Sequence, residues 1–302
     1  MSTRSIALAN QKGGVGKTTT AVSVAACLAE RGKRVLLLDL DPQANATSAL
    51  GVEKLSGGSV YKALLGGEQL AESIRPSGHE NLDVIPSEVD LAVAEVDVAR
   101  AENYLQRLQF ALTPIQGTDK YEFIVVDCPP SLGILTMNAL AAVDSVVVPM
   151  QAEYFALEGL AVITRVLQQI RDSGSNPGLE LQGIVLTMYD GRTNLAQQVA
   201  AEVRKHFPGR VYKTVIPRTV RLAEAPSFGK PITTYDSHSY AAQCYRSLTD
   251  ELLAQPWPLT GAAAAEEAAA GAAVVNATMP AAGAAGGTSP GAVETTPVPT
   301  AS

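Results

Sequence analysis

The sequence predicts an α/β fold: a single-domain, doubly wound, mostly parallel sheet covered by helices on both faces. Three observations carry this. An apolar run, Ile6-Ala7-Leu8-Ala9, leads into a glycine-rich loop, Lys12-Gly13-Gly14-Val15-Gly16-Lys17-Thr18-Thr19, and a helix-forming stretch leaves it from Thr19 to about Arg31. Further continuous apolar runs, Val35-Leu36-Leu37-Leu38 and Phe123-Ile124-Val125-Val126 among them, have the length and composition of strands buried on both faces. Helical periodicity alternates with these runs, and such alternation builds a parallel sheet through crossover connections.

Length and composition set the frame. With 302 residues the chain can hold one large domain or two small ones. Residues 1–256 are expected to form one. From Trp257 to Ser302 the chain is mostly Ala, Gly, Pro, Thr and Ser, without Lys or Arg. That composition cannot offset ordering entropy, so 257–302 is expected to be a disordered tail. Cys27, Cys128 and Cys244 are odd in number and widely spaced, which suits buried thiols in a reducing compartment. The chain moves straight into a strand with no signal-peptide core, and no apolar run approaches the ~20 residues of a membrane span. A cytoplasmic protein without membrane attachment is the expectation.

The glycine-rich loop is the first chemical element. Strand, glycine turn and helix in that order let backbone N–H groups curl around an oligophosphate at the positive end of the helix. Lys17 is placed to reach the outer phosphates and Thr18 to ligate Mg²⁺. The standard spacing asks for glycine at position 11, where this chain has Gln11, and it adds a second lysine, Lys12. The Val35–Leu38 strand then runs into Asp39-Leu40-Asp41-Pro42. The two carboxylates lie two apart, so they share a face if the strand extends that far. They fall at the carboxyl end of a parallel strand, where ligands of open α/β sheets bind.

Asn45 to Gly67 reads as loop and short helix, Leu82–Pro86 as a short strand, and Glu88–Leu112 as one sheet-covering helix. Phe123–Asp127 is a buried strand ending in a carboxylate that can hold a water on Mg²⁺. The stiff turn after it, Pro129-Pro130-Ser131-Leu132-Gly133, is suited to sensing a γ-phosphate. Strands at Ser145–Met150, Gly183–Met188 and Val211–Ile216 alternate with helices at Glu153–Arg171 and 194–206, and Tyr240–Ala254 is a last helix. Net charge is −7, yet the window from Gly191 to Lys230 holds eight basic residues against two acidic ones. A basic island on an acidic chain calls for an explanation, either a nucleic-acid contact or a solvated surface.

The loop with its two lysines resembles the deviant Walker A of the family that includes ParA/Soj, MinD and nitrogenase iron protein. Residues 12–19, Asp39–Thr47, Asp127–Ser131 and Ile216–Ser227 together resemble the ParA/Soj chromosome-partitioning ATPases over about residues 4–254. The resemblance implies a P-loop ATPase, slow alone and stimulated by a ParB/Spo0J-type centromere-binding protein. It implies an ATP-dependent homodimer that binds double-stranded DNA without sequence preference, hence a nucleoid-associated location. By position, Lys12 is the lysine that crosses to the partner's phosphates, Lys17 the phosphate lysine and Asp41 the residue that orients the attacking water. Gly13, Gly14, Val15, Gly16 and Thr19 complete the phosphate loop, with Thr18, Asp41 and Asp127 around the metal. Pro217 and Thr219 line the adenine pocket, although relatives often carry Asn at the latter. Arg192 and Arg221 match DNA-binding arginines. A guanine reader would show a lysine in the stretch Thr187-Met188-Tyr189-Asp190, and none is present. The rival readings are a MinD-like membrane ATPase, which needs a basic amphipathic C-terminal helix, and a nucleotide-binding scaffold without turnover. A plasmid-type protein with an N-terminal operator-reading domain is disfavoured because the first strand begins near residue 5.

Overall fold

The structure, a computed structural model, describes residues 3–54 and 60–257. The expected tail therefore lies outside the described residues except for Trp257, whose ring centroid sits 5.2 Å from the Arg4 guanidinium.

The chain opens with β1 (Arg4–Leu8), α1 (Lys17–Glu30), β2 (Val35–Asp39), α2 (Asn45–Ala49) and α3 (Val60–Leu64). A hairpin of β3 (Arg75–His79) and β4 (Leu82–Ile85) follows, then α4 (Leu91–Arg100), α5 (Arg107–Gln116), β5 (Phe123–Asp127) and α6 (Ile134–Ala142). The second half holds β6 (Ser145–Gln151), α7 (Ala156–Asp172), β7 (Glu180–Tyr189), α8 (Asn194–His206) and β8 (Val211–Pro217). Two short helices, α9 (Val220–Glu224) and α10 (Ile232–Tyr235), precede α11 (Tyr240–Ala254).

The eight strands form one sheet in the order β3-β4-β2-β5-β1-β6-β7-β8. Every neighbouring pair is parallel except β3 with β4. The doubly wound, mostly parallel sheet expected from the sequence is what forms. Its strands divide their side chains between two cores with a period of two. Ala7, Leu36, Leu38, Ile124, Val126, Val146 and Val148 face α4–α8. Ile6, Leu8, Val35, Leu37, Phe123, Val125 and Val147 face α1 and α11. Burial on both faces explains why these strands read as continuous apolar runs, and each large side chain contributes about 1.5–3 kcal/mol.

Three expectations need correction. The single helix expected over Glu88–Leu112 is two, α4 and α5. Between them Asn103 takes φ 54°, and the buried Asn138 of α6 donates to Tyr104 O at 2.7 Å and accepts from Leu108 N at 3.1 Å. A side chain from another helix thus satisfies the backbone groups that the break exposes. Second, β2 stops at Asp39, so Asp39 and Asp41 do not share a strand face; Asp41 lies in the turn beyond. Third, the basic window is not one patch. α8 carries the chain ~20 Å back across the sheet before β8 returns it. Arg192, Arg218 and Arg221 therefore lie toward the carboxyl ends of β7 and β8, and Arg204, Lys205 and Lys213 toward the amino ends. Arg210 is buried, with its Nη2 unpartnered.

One close approach ties distant segments together. After α2, Gly51 meets Gly229, which closes the turn following α9. A Cβ on Gly229, where φ is 61°, would stand 2.7 Å from Gly51 Cα. Only glycine satisfies both the backbone angle and the space.

Candidate functional site

β1 lies in the middle of the sheet between β5 and β6, where successive connections turn to opposite sides. The glycine loop leaves β1 at this point. Gly16, at φ 82°, caps α1 and aims its first turn into the loop. The loop is braced from the neighbouring strands. Thr187 of β7 donates to Val15 O at 2.7 Å, and Gln151 of β6 donates to Gly14 O at 3.0 Å. Gly13 packs beside Pro130 of the turn after β5, where an added Cβ would lie 3.7 Å from the proline Cβ. Sequence reasoning did not single out Gln151, and considered Thr187 only within the base-reading stretch 187–190; the signal for both as braces is a position at the ends of β6 and β7.

The two lysines of the loop point differently. Lys17 is 6 % exposed and its ammonium donates to Lys12 O at 3.0 Å. Burial pulls its pKa down, against the opposing pull of Asp127, Cys128 and Asp41. Lys12 instead stands out of the loop, half exposed, in an ion pair with Glu153. Tyr154 and Phe155 follow that glutamate, both exposed, with rings edge-to-face at 5.1 Å.

Asp127 is fully buried, and neither of its carboxylate oxygens completes a hydrogen bond. Burial and then the neighbouring Asp39 push its pKa well up; the Thr18 hydroxyl lies close enough to favour the charged form but does not finish the job. An orphaned buried carboxylate is expensive unless something cationic or hydrogen-bonding meets it. Among the described residues, no group of three or more His, Cys, Asp or Glu could hold a metal alone. That donor set suits Mg²⁺, which is bound through one or two side chains, waters and substrate phosphates. Thr18 and Asp127 fit such an ion.

Asp39 has the opposite environment. It accepts from Thr47 N and Thr47 Oγ1, each at 2.7 Å, and from Asp41 N at 3.2 Å. Burial raises its pKa to about 6 against those three bonds. Thr47 Oγ1 in turn accepts from Ser87 N at 3.0 Å. Asp39 is thus a positioning residue for the turn that carries Asp41, whose Oδ1 accepts from Gln43 N at 3.0 Å. The link to Ser87 was not legible locally, because that residue lies 40 positions beyond Thr47.

Beside the loop a cavity of about 400 Å³ opens between Gly16, Thr19, Met188, Pro217, Thr219 and Tyr245. Its size suits a planar heterocycle. Pro217 and Thr219, expected at an adenine pocket, line it, and Thr219 also caps α9 by accepting from Leu222 N at 3.3 Å. Met188, one of its lining residues, has φ 49°, an uncommon angle for a residue other than glycine. Gln151 reaches its sulfur, which fixes the side chain.

The two expected DNA residues are exposed and already paired. Arg192 makes a two-pronged contact to Asp190 at 2.9 and 2.7 Å, which holds the Asp190 carboxyl down to about 2. Arg221 lies 3.3 Å from Glu224 and 3.5 Å from Asp236.

Comparison with known proteins agrees with this geometry. Residues 3–181 match the AAA domain family. The chain is 53 % identical over 252 residues to the chromosome-partitioning ATPase Soj of Thermus thermophilus, covering 83 % of this chain and 96 % of that one. It is 51 % identical over 250 residues to the sporulation initiation inhibitor protein Soj of Bacillus subtilis, covering 82 % and 98 %. Among solved structures, the cobyrinic acid a,c-diamide synthase of Mycobacterium smegmatis with bound ADP and magnesium superposes with a TM-score of 0.72 at 36 % identity, covering 83 % and 94 %.

Proposed function

The chain belongs to the ParA/Soj family of chromosome-partitioning ATPases, and from that premise we propose that it is an ATP-driven dimer switch on DNA. The observation that carries this reading is the divergence of the two loop lysines. Lys17 is folded into its own site, where it meets the phosphates of the nucleotide bound by the same subunit. Lys12 is turned outward and half exposed, where a second copy's triphosphate can take it from Glu153. Tyr154 and Phe155 supply apolar surface for that second copy to cover.

In the dimer, backbone N–H groups of residues 13–19 cradle the phosphates, and the adenine lies against Pro217 and Thr219. Thr18, with Asp127 and the Asp41 turn around it, would hold magnesium, which when bound would supply neutralisation of the charge on the phosphates. Asp41 orients the water that attacks the γ-phosphate. Arg192 and Arg221 exchange their carboxylate partners for DNA phosphates, which gives affinity without base reading and a steep salt dependence. A ParB/Spo0J-type protein accelerates hydrolysis, and loss of the γ-phosphate releases the turns after Asp41 and Asp127, so the dimer parts and leaves DNA.

No helix of the described residues is long and apolar enough to cross a membrane. The apolar face of α11, including Tyr245, Leu248 and Leu252, is spent in the core. The test is retention on duplex DNA with ATP, with ADP and without nucleotide, alongside sedimentation of the Lys12→Ala variant. ATP alone should give retention and a dimer, and Lys12→Ala should stay monomeric. Equal retention in all three states sinks the switch.

A further inference from the structure

α4 stands between the two turns that the proposed hydrolysis cycle moves. It begins four residues after Ser87, whose N–H is bonded to Thr47 and so to the Asp39–Asp41 turn. One helical turn further on, its Glu95 lies against the turn after Asp127: a Cβ on Gly133 would stand 2.8 Å from Glu95 Oε1. Its inner residues, Leu91, Ala94 and Val98, are fully buried. The outer face is apolar where solvent-facing helices are ordinarily polar. On the helix Val93 and Val96, three apart on one face, are 53 and 52 % exposed, and Val89, in the turn two residues before it, is 76 % exposed. The stretch 89–102 carries Asp90, Glu95, Asp97 and Glu102 against Arg100 as its only basic residue, with Asp97 accepting from the Tyr61 hydroxyl at 2.8 Å.

We propose that this face of α4 docks a basic, amphipathic protein segment and that the docked segment is what accelerates hydrolysis. The proposal rests on the partner-stimulated switch put forward above. The charge selects the occupant. An acidic rim repels both DNA and anionic lipid, and it attracts Lys and Arg flanking an apolar stripe. A segment seated on Val89, Val93 and Val96 presses on both turns through contacts already in place, Ser87–Thr47 on one side and Glu95–Gly133 on the other.

The experiment uses the full chain with ATP, duplex DNA and a purified ParB/Spo0J-type protein as the probe. Val93→Asp combined with Val96→Asp should reduce stimulated phosphate release by ~10-fold or more, the loss expected when two apolar anchors of an interface become charges. Unstimulated release and DNA retention should match the wild type, because both residues are exposed and neither touches the nucleotide site. In parallel, Val93→Cys carries an environment-sensitive fluorophore; the three native cysteines are buried, so labelling is selective. Its emission should shift on addition of the probe protein, and a label at Leu195→Cys on α8 should not respond. Full stimulation of the double variant overturns the docking surface and leaves the switch standing. A label at Val93 that responds to ATP-driven dimerisation alone assigns the face to a second copy and overturns the proposal. A wild type that the probe protein does not stimulate overturns the partner-stimulated reading, and this surface falls with it.

Discussion

The carboxyl ends of β1, β2 and β5 and the edge formed by β8 and α9 both concentrate charge, in opposite ways. At the first, titratable groups are buried and short of partners: neither Asp127 oxygen completes a hydrogen bond, and Lys17 is left with a carbonyl of its own loop. At the second, the two arginines expected to meet DNA are exposed and each held by carboxylates, Arg192 by Asp190 and Arg221 by Glu224 and Asp236. Burial makes an unmet charge costly, so the first region declares a ligand through what it lacks. Exposure makes a met charge cheap to re-partner, since a surface ion pair is worth ~0–1 kcal/mol. On the proposed reading, the nucleotide site is built to hold and the DNA surface to let go, and the two leave different marks.

The comparison can be broken at four points. The largest effect is expected at the buried end. Lys17→Ala removes the cation facing Asp127 and Asp41 and should abolish Mg-ATP binding, measured by calorimetry; binding within about threefold of wild type would show that the buried charges serve the fold instead. Next, Arg192→Glu with Arg221→Glu should abolish DNA retention while sparing ATP binding. The single charge-removing variants should each lower the salt slope of DNA binding by about one unit per subunit. An unchanged slope places the contact elsewhere on the surface.

Gly229→Ala probes the junction of the two regions. A methyl group 2.7 Å from Gly51 Cα at φ 61° should destabilise the fold by about 1–3 kcal/mol, read from denaturant melts. A melt identical to wild type would mean that the two segments part easily. The smallest effect is expected from Asp190→Asn. Releasing Arg192 from its carboxylate should tighten DNA binding by roughly 2–5-fold, the worth of an exposed pair. Weaker binding would make Asp190 a support for the arginine rather than its competitor.

Much of this was legible in the sequence because the signals are local. A continuous apolar run ending in Asp127, or a loop of three glycines between two lysines, needs no tertiary knowledge to interpret. What escaped depends on distant residues or on the absence of pattern. The periodicity Val96, Ala99, Leu105, Leu108 runs on across the break between α4 and α5, because the break is made by Asn138 from α6. β3, with the sequence Arg-Pro-Ser-Gly-His, has no apolar alternation, since as an edge strand it pairs only with β4. The dense basic stretch at 191–230 looked like one surface until the crossover through α8 divided it. Asp39 and Asp41 looked like twins, yet one is a braced strut and the other stands free of the strand.

The meeting of Gly51 with Gly229 has a mechanical consequence. Two bare backbones in contact have no rotamer to yield between them, so the pair behaves as a hard stop. When the segment downstream of Asp41 shifts toward the 225–229 turn, that turn must travel with it, and Arg221 sits one short helix away.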